Sequence, residues 1–108
     1  MISMECRIII TTYPERKQAV NIARESVDAK LVACVNIIKV RSIYTWKGKI
    51  EEVDEFLVLF KTTEKGADIL KDYIKRNHVY EVPEIVEIDP KYVDPRYLSW
   101  LIDNVKIE

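Results

Sequence analysis

The chain switches between two hydrophobic periods, and the switch points mark its elements. Residues 7–12, Arg-Ile-Ile-Ile-Thr-Thr, form a short β-branched run of the kind that fills a buried strand. Thr12-Tyr13-Pro14-Glu15 follows with capping-box spacing and a proline suited to a first turn, so a helix is expected to start there. Ala19, Ile22, Ala23, Ser26, Val27 and Leu31 recur at i, i+3, i+4 and i+7, while Arg16, Lys17, Arg24, Glu25 and Asp28 fall elsewhere. Residues 31–46 and 50–62 read as two long strands, rich in Val, Ile, Leu and Phe. The tip between them is Trp46-Lys47-Gly48-Lys49-Ile50, where Gly48 can take the positive φ of a tight hairpin turn. Thr63 is placed to cap a second helix that turns Ala67, Leu70, Tyr73, Ile74 and Asn77 inward and ends near His78, with Lys75 and Arg76 complementing its dipole. Pro83 precedes an alternating strand over 84–88, and Asp94-Pro95 opens a short amphipathic helix carrying Tyr97, Leu98, Leu101 and Ile102.

This order predicts an α+β fold: a ferredoxin-like βαββαβ sandwich with a long β-hairpin, a short C-terminal helix, and an antiparallel sheet with its helices on one face. Length adds a constraint. The sixteen residues 31–46, extended at about 3.3 Å each, would span roughly 50 Å, whereas a globule of this size spans roughly 35 Å. The hairpin must bend or project, and its far half is expected to pair with a neighbouring subunit, because open apolar strand edges invite uncontrolled association. At 108 residues, a single domain over 1–108 is expected.

Composition narrows the partners. Seventeen basic and eighteen acidic residues nearly cancel, so no overall field selects nucleic acid or an anionic membrane. Cys6 and Cys34 form no CxxC pair and no disulfide framework, and Cys34, inside an apolar run, is expected to be a reduced core thiol. No secretory leader and no apolar run near the roughly 20 residues of a spanning helix is visible, which points to a cytoplasmic protein.

Polar chemistry concentrates in Asn77-His78-Val79-Tyr80-Glu81-Val82-Pro83-Glu84-Ile85, which holds the only histidine. Imidazole suits neutral-pH proton transfer or a borderline metal such as Cu(II) or Zn(II), and Glu81 and Glu84 add oxygen donors. The same stretch also reads as a plain helix-to-strand junction, with His78 bonded locally and Tyr80 filling a seam, so both readings stand. Tyr44, Trp46 and Trp100 read as packing or interface residues, and Lys47 and Lys49 as a wet hairpin tip that can attract an anion. No phosphate-binding glycine loop, GxSxG elbow, HExxH or paired CxxC occurs, so nothing supports an enzyme or an organic cofactor. RNA binding lacks both a basic patch and the aromatic strings it would use.

Five strings in order resemble the CutA divalent-cation-tolerance family: Ala33-Cys34-Val35-Asn36-Ile37; Ser42-Ile43-Tyr44-x-Trp46-x-Gly48-Lys49-Ile50; Lys61-Thr62-Thr63; His78-x-Tyr80-Glu81-x-Pro83-Glu84-Ile85; and Tyr97-Leu98-x-Trp100. The resemblance implies a tight cytoplasmic homotrimer of ferredoxin-like subunits that share strands, linked to tolerance of copper and other divalent metals. The family's proposed copper site uses a cysteine ending the first strand and two adjacent histidines; this chain has Thr11, Asn77 and His78 there. Val79 stands where a proline often follows the histidine. Only weak binding of Cu(II) or another divalent cation is therefore expected, through His78, Glu81 and Glu84. The architecture is also similar to that of PII-type signalling proteins. That analogy gives the alternative: a small-ligand module using an intersubunit cleft lined by Tyr44, Trp46, Lys49 and Tyr80 beside those three residues.

Overall fold

The structure, a computed structural model, describes residues 5–107. Its elements follow the order β1 (Cys6–Tyr13), α1 (Arg16–Asp28), β2 (Cys34–Trp46), β3 (Lys49–Thr63), α2 (Glu64–Asn77), β4 (Val86–Ile88) and α3 (Pro95–Asp103). The strands form one antiparallel sheet in the order β2-β3-β1-β4. This is the expected α+β arrangement.

Alternation along β1 and β3 divides the core in two. Ile9 and Tyr13 on β1 and Val58 and Phe60 on β3 face Ala19 and Ile22 of α1 and Ala67, Leu70 and Ile74 of α2. Cys6 faces the other way and packs with Leu101 of α3 and with Val105. The two long helices lie on one face as expected, and α3 covers one end of the opposite face. Cys6 is therefore the buried thiol, whereas Cys34, on edge strand β2, is only partly buried; the expectation of a core Cys34 is corrected by that edge position.

Two element ends also differ from expectation. Thr12 does not cap α1: β1 continues through Tyr13, whose ladder partner on β3 is Phe56, and Glu15 is the N-cap, forming a capping box with Gln18. A strand ladder satisfies the Thr12 backbone better than a helix start would. At the other end of the chain β4 is three residues long, because only Ile8, Ile9 and Ile10 pair with it. The predicted caps Thr63 and Asp94 are in place, with the Thr63 hydroxyl accepting from Gly66 N–H at 3.2 Å and Pro95 opening α3.

Arg7 ties the sheet edge to α2. Its nearly buried guanidinium reaches Glu5 at 2.9 Å, Glu87 and Asp89 at 3.2 Å and Glu64 at 3.6 Å, and Lys71 of α2 also pairs with Glu87. Gly66 permits a close approach: a Cβ there would lie 2.1 Å from Thr62 Oγ1 and 2.8 Å from the Leu31 carbonyl.

The hairpin projects. β2 and β3 pair from Cys34↔Lys61 to Trp46↔Lys49, but β1 leaves β3 after Tyr13↔Phe56, so, among the described residues, 49–55 of β3 have β2 as their sole strand partner. The molecule extends 47 Å along its long axis and 26 and 22 Å across. Lys47 and Gly48 both adopt positive φ, 51° and 78°, as a two-residue turn matched to strand twist requires. Ile43 and Ile50 on this arm are 66% and 79% exposed. No helix among the described residues is long and apolar enough to cross a membrane.

Candidate functional site: a cleft at the root of the hairpin

His78 is the residue at which α2 stops, with φ −77° and ψ 144°. Its imidazole lies flat against Tyr13, with ring centroids 4.3 Å apart, and stacks on Tyr80 at 5.2 Å. Nδ1 accepts the Tyr80 backbone N–H at 3.0 Å, and Nε2–H donates to the Thr12 carbonyl at 2.8 Å, with the Thr11 hydroxyl 3.2 Å from the same nitrogen. This pairing defines the neutral Nε2–H tautomer. It also accounts for the short β4. Continued register would set Glu84 opposite Thr12, but the imidazole takes that carbonyl instead, and residues 84–85 run free of the ladder. Burial pushes the His78 pKa down, opposed by the Thr12 carbonyl and by the charge of Glu55.

The next link is Glu55, at the root of the arm opposite Val40. It is 5% exposed and accepts the Tyr80 hydroxyl at 2.6 Å. Burial, then Glu55 itself, holds the Tyr80 phenol well above its usual pKa. Tyr80 is thus fixed at three points: its amide and ring on His78, its hydroxyl on Glu55.

Around this chain lies a cleft of about 590 Å3, lined by Thr12, Ser42, Ile43, Tyr44 and Trp46 on the strand side and Tyr80, Glu81, Val82 and Glu84 on the loop side, with Glu55 between them. Of the residues singled out from sequence, Tyr44, Trp46, Tyr80, Glu81 and Glu84 meet on its wall. His78 supports that wall from behind Tyr80 without being part of it, and Lys49 sits at the hairpin turn opposite Trp46, off the lining. Sequence reasoning missed Glu55 and Tyr13. Glu55 hides in the acidic string Glu51-Glu52-Val53-Asp54-Glu55, but it is in phase with Leu57 and Leu59 on the sheet face away from α1 and α2, and a carboxylate sharing a face with two leucines is the signal that would have singled it out.

Among the described residues no three His, Cys, Asp or Glu side chains stand together in a way that could hold an ion. Both nitrogens of His78 are engaged, and a metal at Nδ1 would have to displace the Tyr80 amide. One chain alone therefore offers exposed carboxylates at Glu81 and Glu84 rather than a resident metal centre.

Comparison with known proteins agrees with the fold. Residues 7–104 match the family model described as CutA1 divalent ion tolerance protein. A divalent-cation tolerance protein CutA of Pyrococcus horikoshii is 39% identical over 92% of this chain and 97% of its own. A CutA homolog of Xenopus laevis is 42% identical over 87% of this chain, which spans only 63% of the frog protein. The solved structure of the periplasmic divalent cation tolerance protein CutA from Archaeoglobus fulgidus superposes with a TM-score of 0.88 at 33% identity, over 94% of this chain and 99% of that one. With its fold, its hairpin and nearly all of its length matched, the chain belongs to the CutA1 divalent ion tolerance family.

Proposed function

We propose that the protein serves divalent-cation tolerance in the cytoplasm as a homotrimer in which each arm completes the sheet of a neighbour. The observation that carries this reading is the two-stranded arm itself: Ile43 and Ile50 stand exposed on strands whose outer edges are open. Cyclic closure buries such surface without leaving a free edge, and the family resemblance supports three as the number. Sedimentation velocity tests it. The wild type should sediment as a trimer at micromolar concentration and Ile50→Lys as a smaller species; a wild-type monomer would end the proposal.

Contact with the cation is weak and runs through the carboxylates Glu81 and Glu84, with His78 holding the loop that presents them. Its role is binding, not catalysis. Calorimetric titration with Cu(II) should give a weak isotherm that Glu81→Gln with Glu84→Gln flattens and that His78→Ala changes less. An isotherm abolished by His78→Ala alone would make the imidazole the ligand.

A second reading is favoured by one feature: a cleft of about 590 Å3 falls in the size range of small-molecule sites and has three aromatic side chains on its wall. In this reading the protein is a PII-like module whose cleft, closed by a neighbouring subunit, binds a small ligand.

A further inference from the structure

The cleft reading leaves its ligand open, and the charges around Glu55 narrow the class. A carboxylate at 5% exposure is costly unless it is paired, yet among the described residues no lysine, arginine or histidine forms an ion pair with it. The basic side chains nearest along β2 are engaged elsewhere: Arg41 pairs with Glu52 and Asp54 at 3.1 Å, and Lys39 reaches Asp54 at 4.0 Å. One hydrogen bond from a neutral phenol is the compensation Glu55 receives. Glu81 and Glu84 add two more carboxylates to the lining, so an anionic ligand would meet three like charges.

The aromatic surface favours a particular kind of cation. Tyr44, Trp46 and Tyr80 line the cleft, and the Tyr80 ring is held in place before any ligand arrives. The Trp46 indole already attracts an ammonium, with Lys47 Nζ 5.7 Å from its centroid. Small hard metal ions gain little from ring faces and want several oxygen donors converging on one point, which this wall does not supply. An alkylammonium gains from both parts: its charge from carboxylates, its methylenes and N–H groups from the rings.

We propose that the cleft at the hairpin root binds an organic ammonium ion, an aliphatic amine or polyamine, with Glu55 as its buried counter-charge and Trp46 and Tyr80 as its aromatic walls. The proposal rests on the small-ligand reading of the cleft and names the ligand's class. Glu55 holds the charged head against the Tyr80 ring, and Glu81 and Glu84 at the loop take a second ammonium of a longer amine.

The test uses the full chain in its native assembly at low salt, titrated with spermidine by calorimetry and by Trp fluorescence, with 1,6-hexanediol and adipate as neutral and anionic controls. Spermidine should bind saturably and the two controls should not. Glu55→Gln and Trp46→Leu should each weaken it by about tenfold or more, whereas Glu15→Gln, on the exposed start of α1, should not. Tyr80→Phe provides a second route should Glu55→Gln fail to fold; it keeps the ring and frees the carboxylate, so spermidine binding should survive. No spermidine binding overturns the proposal. So does a loss as large in Glu15→Gln as in Glu55→Gln, which would mean diffuse attraction to an acidic surface. Sedimentation of the same samples separates this from the assembly proposal: a non-binding trimer sinks the ammonium site alone, and a binding monomer sinks the trimer alone.

Discussion

The body of the sheet and the projecting arm of the hairpin are made from the same two strands, yet they solve different problems. In the body, β3 from Phe56 onward lies between β1 and β2, and its helix-side residues disappear beneath α1 and α2; Phe60 and Val58 are fully buried. Beyond Glu55 the same strand has one neighbour, and its apolar side chains face outward beside an exposed ladder of Arg41, Glu52 and Asp54. Stability in the body is generated within the chain. The arm leaves its apolar side chains unburied within the chain, and the cleft sits where these two regimes meet.

Substitutions on either side should separate them. The largest effect belongs in the body: Phe60→Ala removes a fully buried ring and should cost about 3 to 5 kcal/mol in urea unfolding. Arg7→Ala should follow at about 2 kcal/mol, because one guanidinium packed against the sheet edge donates to carboxylates from β4, α2 and the chain before β1, although those partners remain solvated when it is gone. Its counterpart on the arm, Arg41→Ala, should leave the urea midpoint nearly unchanged, since Arg41 and both its partners are about half exposed or more. An equal loss from both arginines would erase the distinction between body and arm. Gly66→Ala should cost roughly 1 to 3 kcal/mol, the added methyl meeting Thr62 Oγ1 and the Leu31 carbonyl, which already share a 2.7 Å hydrogen bond.

The same division explains what could be read from the chain. Body elements announce themselves because their burial is internal: the period of α1 and α2, the cap at Thr63 and the Asp94-Pro95 start all have local causes. The projection of the hairpin was legible from length alone, and the 47 Å axis agrees with it. Errors fell where a distant partner decides the outcome. Thr12 looks like a cap until β3 claims its backbone, and 84–88 looks like a full strand until His78 takes the carbonyl that Glu84 would have faced. The site was half legible for a related reason. Trp46, Tyr44, Tyr80, Glu81 and Glu84 belong to distinctive strings, whereas Glu55 matters only through a contact 25 positions away with Tyr80.

The effect predicted at the junction is small, and its sign is informative. In the fold His78 is held neutral: Tyr80 N–H occupies Nδ1, Nε2–H is on the Thr12 carbonyl, the Tyr13 ring covers one face, and the carboxylate of Glu55 opposes the downward push of burial without reversing it. Its folded pKa therefore lies below the ordinary value of about 6.5. Above that value the folded and unfolded chains carry the same neutral imidazole, and its contribution to stability is complete. As pH falls below it, the unfolded chain takes up the proton first, so stability declines until the folded pKa is passed. His78→Gln removes this dependence while keeping a polar side chain. Urea midpoints at pH 7.5 and pH 5.5 should show the variant less stable than wild type at the higher pH and the gap narrowing at the lower. A gap that widened on acidification would mean that Glu55 outweighs burial and binds a charged imidazole; the buried carboxylate would then already have its cation, and the cleft would have no call for an ammonium from solution.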